Sequence, residues 1–370
     1  VAIGSLIATA VVVSIAGAPA HATTNPNDPL YLQSGAGDLF YAGQWNMRTV
    51  HAVDAWATGN TGSGITVADL DTGLDLSHPD FNCTNKVKLV PGADVVHNDG
   101  TPEDDNGHGT HTAGIIGACT NNGIGVVGVA KDATIMPIQV LDADGSGNAA
   151  NLATAIHKAT DNGAHVINMS IGFSVQGAPY TGSALGYVGL LPEIDEAVSY
   201  AVSHGVVVVA AAGNESAGLC SYPALAVNVV CVGSSDPHDL NSWYGNFPVK
   251  DDDQDLVGPG VLAPGGTGQL FCDASSFEII STYDRSADAA EGDCDTLPGY
   301  ASIEGTSMAT PMVAGIAALV YGKLGGTRNT TNAQAVVNAI IHGTKDTYTP
   351  GYDPMSGYGR VDALGALNAA

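Results

Sequence analysis

Val206-Val207-Val208-Val209-Ala210-Ala211-Ala212-Gly213-Asn214 is an unbroken apolar run closed by a Gly-Asn turn. Without a polar residue at alternate positions, such a run marks a strand covered on both faces, as central parallel strands are. The neighbouring segments fit that frame. Upstream, a helix over Glu193 to about His204 ends at Gly205, and a second over Ala149 to about Asn162 ends at Gly163. Strands are predicted at Ile65–Leu70, Ile135–Leu141 and Val166–Ser170, and downstream at Val227–Gly233. A small-residue helix begins just after His108, and another runs from Ala309 to about Lys323. Strands alternating with helices predict an α/β fold, three-layer αβα with a mostly parallel, doubly wound sheet. Pro237–Ala301 is the main stretch with no regular pattern.

Three segments carry residues suited to chemistry. Ile65–Leu70 ends in Asp71-Thr72-Gly73, which puts a carboxylate at the carboxyl end of a strand, where open α/β sheets hold ligands. Asn106-Gly107-His108-Gly109-Thr110-His111 sets His108 between two glycines that leave its imidazole approachable, whereas His111 reads as structural. Gly305-Thr306-Ser307-Met308-Ala309-Thr310-Pro311 sets Ser307 at the mouth of a helix, where the dipole favours negative charge. Each has a plainer reading: Ser is a preferred N-cap, and Asp and Asn are frequent in turns. A serine hydroxyl becomes a useful nucleophile only beside a base that an acid orients.

Together, Asp71-Thr72-Gly73 with His78-Pro79-Asp80, Gly107–His111 and Gly305–Pro311 resemble the subtilases, the subtilisin-like serine proteases, over roughly residues 25–368. The order Asp, His, Ser is also that of the subtilase triad. The resemblance implies the subtilisin-like fold and a secreted serine endopeptidase, with Ser307 the nucleophile, His108 the general base and Asp71 its orienting group. It implies Asn214 as the oxyanion donor beside the Ser307 amide. It further implies cleft walls at Gly145, Ser146 and Gly147 and at Ser170, Ile171 and Gly172, with Ala211 and Gly213 bordering the substrate. The chain departs from the family at Phe173, where a second Gly is usual, in the inserted Ser174–Leu191, and at Met312, where His is usual. The first two leave side-chain preference open between a broad endopeptidase and a narrow processing protease. Met312 implies altered packing only. A binding protein on an inactive scaffold is the reading of a different class, and the intact Asp71, His108, Asn214 and Ser307 oppose it.

Asn121–Gly128 resembles the calcium loop of the family, so the resemblance implies structural Ca2+ held by Asp28, Asp80 and Asn122 with the carbonyls of Thr120, Ile124 and Val126. Val1–Ala22 has no charge and ends in Ala-Pro-Ala-His-Ala, reading as a signal peptide cut after Ala22. Residues 23–370 then form the catalytic domain, and Asn27-Asp28-Pro29 reads as a mature start with no evident propeptide before it. Acidic residues outnumber basic ones 37 to 11, a formal charge of −26, which opposes binding to nucleic acid or an anionic membrane. A soluble monomer acting on polypeptides is expected. The six cysteines lack a CxxC pair, and in an exported chain they predict disulfides. Pairing sequence neighbours gives Cys83–Cys119, Cys220–Cys231 and Cys272–Cys294.

Overall fold

In the computed structural model, residues 25–32, 43–173, 191–248, 259–267, 277–285 and 298–370 are described. Six strands form one sheet: β1 (Thr66–Asp71), β2 (Thr134–Gln139), β3 (Val166–Met169), β4 (Val207–Ala211), β5 (Val229–Ser235) and β6 (Gly260–Pro264). Their order is β2-β1-β3-β4-β5-β6 and every pairing is parallel. The order reverses between β1 and β3, which opens a crevice at their carboxyl ends. Two further strands, β7 (Ile279–Thr282) and β8 (Tyr300–Ile303), form an antiparallel hairpin.

Three short helices, α1 (Pro29–Leu32), α2 (Trp45–Thr49) and α3 (Ala52–Trp56), precede β1. The longer ones are α4 (His108–Gly117), α5 (Ala149–Asp161), α6 (Pro192–Ser203), α7 (Thr306–Lys323) and α8 (Thr330–His342), and α9 (Ala363–Ala369) closes the chain. Val67, Val207 and Val209 pack with α4, α7, α8 and α9, whereas Ala68, Leu70, Val208 and Ala210 pack with α5 and α6. Successive residues of one strand therefore feed two separate cores, and both must be apolar. This is the physical content of the Val206–Ala212 run, and the three-layer αβα architecture follows.

Local signals set the helix ends. Asn148 caps α5 by accepting from the Asn151 amide, and Pro192 opens α6 at its first turn. α7 is buried nearly all round and packs on α4, α8 and strands β3 to β6, the pattern of a helix inside the core. It starts at Thr306, three residues before the predicted Ala309, so Ser307 lies in its first turn. Met312 is fully buried, and its sulfur receives Asn46 Nδ2 at 3.5 Å, a packing role as expected.

The irregular Pro237–Ala301 stretch contains β6, β7 and the start of β8, three short strands too small-residue-rich to be read beforehand. α8 was also not anticipated. Cys83–Cys119 and Cys220–Cys231 are bonded as predicted, while Cys272 and Cys294 lie outside the described residues. The signal-like start and nearly all of the Ser174–Leu191 insertion lie outside them as well. No described helix is long and apolar enough to cross a membrane.

Candidate active site

Asp71 is the last residue of β1 and His108 the first of α4. His108 Nδ1 meets Asp71 Oδ1 at 2.7 Å, and the Thr72 amide donates to the same oxygen at 2.8 Å. Asp71 is buried, whereas the imidazole keeps 27 % of its side chain exposed, so one face reaches solvent and the other the carboxylate. Burial works against the charged imidazolium, but the adjacent Asp71 charge and hydrogen bond outweigh it and raise the His108 pKa. Gly109 makes the approach possible: a Cβ there would lie 2.3 Å from the Gly73 carbonyl oxygen.

Asp104, which the sequence reading did not single out, fixes this junction. Its Oδ1 accepts from the Thr72 hydroxyl and the Asn106 and Gly107 amides, and its Oδ2 from the Thr110 amide and hydroxyl. The Thr72 hydroxyl in turn accepts the Gly109 amide at 2.8 Å. A single buried carboxylate thus locks the start of α4 to the end of β1. The available signal was an Asp two residues before Asn106 in a Gly-rich turn, which reads locally as turn chemistry.

Ser307 reaches the same crevice from α7. Its Oγ donates to the Ser170 carbonyl at 3.1 Å, and Ser170 Oγ donates back to the Ser307 carbonyl at 2.8 Å. Pro311 explains the second bond. It has no N–H to give to the carbonyl four residues earlier, so the Ser307 oxygen is left for Ser170. Ser170 and His108 line one cleft of about 410 Å³, together with Gly145, Ser146, Gly147, Ile171 and Gly172. All six predicted wall residues are therefore brought to the imidazole, and Phe173 joins them. Ala211 and Gly213 lie at the end of β4 outside that lining, beside Asn214. The Asp142 carboxylate shapes one wall by accepting the Asp144 and Ser146 amides.

Asn214 is oriented by Thr306. Its Oδ1 accepts the Thr306 amide at 3.0 Å and the Thr306 hydroxyl at 2.9 Å, which leaves Nδ2 to face the opening of α7. A Cβ built on Gly305 would lie 3.4 Å from Asn214 Nδ2 and 3.5 Å from the Ser307 amide nitrogen. Two N–H donors thus converge on a space that a side chain at residue 305 would fill. With φ at 150° and ψ at 161°, Gly305 also holds a backbone conformation open essentially to glycine alone.

His111 is structural, as expected: its Nε2 sits 3.0 Å from the Ile279 carbonyl and 3.2 Å from the Ala301 carbonyl, and burial pushes its pKa down to about 3. Farther along, Asp28 and Asp80 are both fully buried against the 121–126 loop. Asp28 accepts the Asn121 and Asn122 amides, and Asp80 accepts Asn122 Nδ2, the Val126 amide and the Tyr300 hydroxyl. Burial, with the Asp28 charge adding to it, pushes Asp80 up to about 6. Ile124 belongs to the same loop, its amide donating to Asn122 Oδ1, and Thr120 precedes it. Among the described residues no group of three or more His, Cys, Asp or Glu side chains clusters as a metal site.

A doubly wound sheet carrying a buried Asp–His pair, a helix-mouth serine and paired N–H donors defines a serine hydrolase. The comparisons specify which: residues 62–359 match the Subtilase family, and the chain belongs to it as a subtilisin-like serine endopeptidase. It is 37 % identical over 344 residues to thermitase of Thermoactinomyces vulgaris, covering 93 % of this chain and 97 % of thermitase. Against subtilisin Savinase of Lederbergia lenta it is 39 % identical, covering 75 % of this chain and 84 % of the relative. A solved protease structure from Pseudoalteromonas arctica PAMC 21717 superposes with a TM-score of 0.69 at 29 % identity, over 94 % of this chain and all of the other.

Substituting Gly305→Ala places a methyl between the two donors and strains the backbone. Turnover is expected to fall by about two orders of magnitude or more, the size of effect typical when one preorganised donor is lost from an active site. Steady-state kinetics on a chromogenic peptide, normalised to folded protein by circular dichroism, check it.

Proposed function

We propose that the chain is a secreted endopeptidase that cleaves extended polypeptides through an acyl-enzyme on Ser307. The observation that carries the reading is the 2.7 Å Asp71–His108 contact, beside a cleft lined by His108 and by Ser170, whose carbonyl accepts the Ser307 hydroxyl. Ser307 Oγ turns from the Ser170 carbonyl toward His108 Nε2, gives up its proton there and attacks the scissile carbonyl carbon. Asp71 holds the imidazole in the tautomer that leaves Nε2 free to accept, and it stabilises the imidazolium that forms. Asn214 Nδ2 and the Ser307 amide receive the negative oxygen of the tetrahedral adduct. His108 then returns the proton to the leaving amine. In the second half it takes a proton from water, which attacks the ester carbonyl; the bond to Ser307 Oγ then breaks and His108 returns the proton to that oxygen.

The walls at 145–147 and 170–172 suit a substrate bound as an added strand, because small residues expose main-chain groups to it. Secretion is supported by the two disulfides and by the uncharged, apolar start of the sequence. The raised His108 pKa places the acid limb of kcat/KM above the ordinary imidazole value of about 6.5, since the base must be neutral.

We further assign a structural Ca2+ to the 121–126 loop. Two buried carboxylates with no basic hydrogen-bond partner are a donor set that suits a hard cation, and the backbone carbonyls of Thr120, Ile124 and Val126 with Asn122 would complete it. Bound there, the ion offsets the charge repulsion between Asp28 and Asp80 and ties the chain start to the loop.

Three results are expected. Ser307→Ala abolishes casein hydrolysis and labelling by an organofluorophosphonate, and Asn214→Leu lowers kcat by about two to three orders of magnitude with KM little changed. The kcat/KM profile places its acid limb as stated above. In chelator, stability falls as pH rises from about 4 through about 6, because the folded Asp80 binds its proton more tightly than the unfolded one. Added Ca2+ removes that slope and raises Tm in thermal denaturation, and a Tm indifferent to both would refute the calcium assignment.

A further inference from the structure

β1 carries a second acidic residue that the catalytic scheme does not use. Asp69 lies two positions before Asp71 and is 2 % exposed, in a strand otherwise apolar between Val67 and Leu70. Residues two apart on a strand share a face, about 6.6 Å from one another, so both carboxylates point toward α4 and α7. Asp69 Oδ2 accepts the Thr112 hydroxyl at 2.9 Å, one turn along α4 from His108. Its Oδ1 accepts Asn168 Nδ2 at 2.8 Å. The same Asn168 nitrogen meets Ser170 Oγ at 3.0 Å, and Ser170 Oγ holds the Ser307 carbonyl.

We propose that Asp69 is a positioning residue for the reaction: it braces the elements carrying Asp71, His108 and Ser307 from below and, when charged, supports the imidazolium form of His108. The proposal rests on the triad reading given above. One polar chain, Asp69–Asn168–Ser170–Ser307, joins β1 through β3 to α7, and Thr112 joins it to α4. Asp104 secures the rim of the same junction, whereas Asp69 secures its floor.

Thr112 lets the brace survive a change of charge. Its hydroxyl lies 2.9 Å from Asp69 Oδ2 and 3.0 Å from the Gly109 carbonyl. With Asp69 ionised, the Thr112 hydroxyl donates to the carboxylate. With Asp69 protonated, the carboxyl O–H donates to Thr112, whose own hydrogen turns to Gly109. The proton taken or lost exchanges with buffer, and neither state breaks the Asp69–Thr112 hydrogen bond.

The titratable groups acting on Asp69 are Asp71 on its own strand and His108 on α4, while β3 and α7 contribute the uncharged Asn168, Ser170 and Ser307 carbonyl. Burial, then the Asp71 charge, pushes Asp69 up to about 8. Its charge in turn acts to raise the His108 pKa. Ionisation of Asp69 on the alkaline side therefore adds a further negative charge, beyond those of Asp71 and Asp104, near the imidazolium formed in the transition state.

The test is the pH dependence of kcat for the wild type and for Asp69→Asn, which keeps acceptor and donor groups for Asn168 and Thr112 but carries no charge. The wild type is expected to show two ionisations, the second a rise near pH 8 on the order of tenfold, the size of a one-unit shift. Asp69→Asn should keep the acid limb, lose the second rise and leave KM unchanged. Asp69→Ala, which deletes the brace, should lower kcat at every pH. A merely structural role predicts a Asp69→Asn profile of wild-type shape scaled by a constant, and that result, or a wild type with one ionisation, overturns the proposal. If Asp69→Asn fails to fold, Thr112→Val is read instead. It removes one donor to the ionised carboxylate, so the alkaline inflection should move to higher pH, and an unmoved inflection overturns the proposal. Fluorophosphonate labelling of Ser307 separates the two ideas: labelling without a second ionisation rejects Asp69 alone, whereas no labelling rejects the triad.

Discussion

Burial of both faces of one parallel sheet constrains everything else in this molecule. A strand between two helix layers must present apolar side chains on each face, so functional groups are driven to the strand ends. Asp71 ends β1, Ser170 follows β3 and Asn214 follows β4. The strand order reverses between β1 and β3, which leaves a crevice at their carboxyl ends. Helices α4 and α7 then aim their first turns into it, bringing His108 and Ser307 from segments almost two hundred residues apart.

The crevice works because its polar groups are held by other polar groups, in a region where an unpaired donor or acceptor is costly. Asp104 fixes the His108 turn, Thr306 fixes the Asn214 amide, and Ser170 exchanges hydrogen bonds with Ser307. The catalytic atoms themselves are few. Most of the local sequence is spent on placing them, and on glycines such as Gly109 and Gly305 that leave space where two backbones or two donors must approach. Asp69 is the exception, since an apolar residue would satisfy the core at that position without needing Thr112 and Asn168 as partners.

Two departures from the family pattern lie among the described residues: Met312 is absorbed in the core, and Phe173 lines the cleft beside Gly172. The chain's formal charge of −26 bears on solubility and has no evident part in the site.

The sequence by itself determined the layer architecture, because periodicity and unbroken apolar runs report burial directly. Strand ends, helix starts and flanking glycines pointed to Asp71, His108 and Ser307, whereas Asn214 and the cleft walls came only from the resemblance to the subtilases. Two disulfides were legible by pairing cysteines adjacent in sequence, one closing a loop of 11 residues and the other one of 36. Asp104, the reciprocal Ser170–Ser307 bonds, Asp69 and strands β6 to β8 were decided only in three dimensions. A carboxylate's role depends on donors supplied by distant elements, and a short Gly- and Pro-rich strand acquires its identity from the strand beside it. Local pattern records which side of a chain is buried; it does not record what waits on the other side.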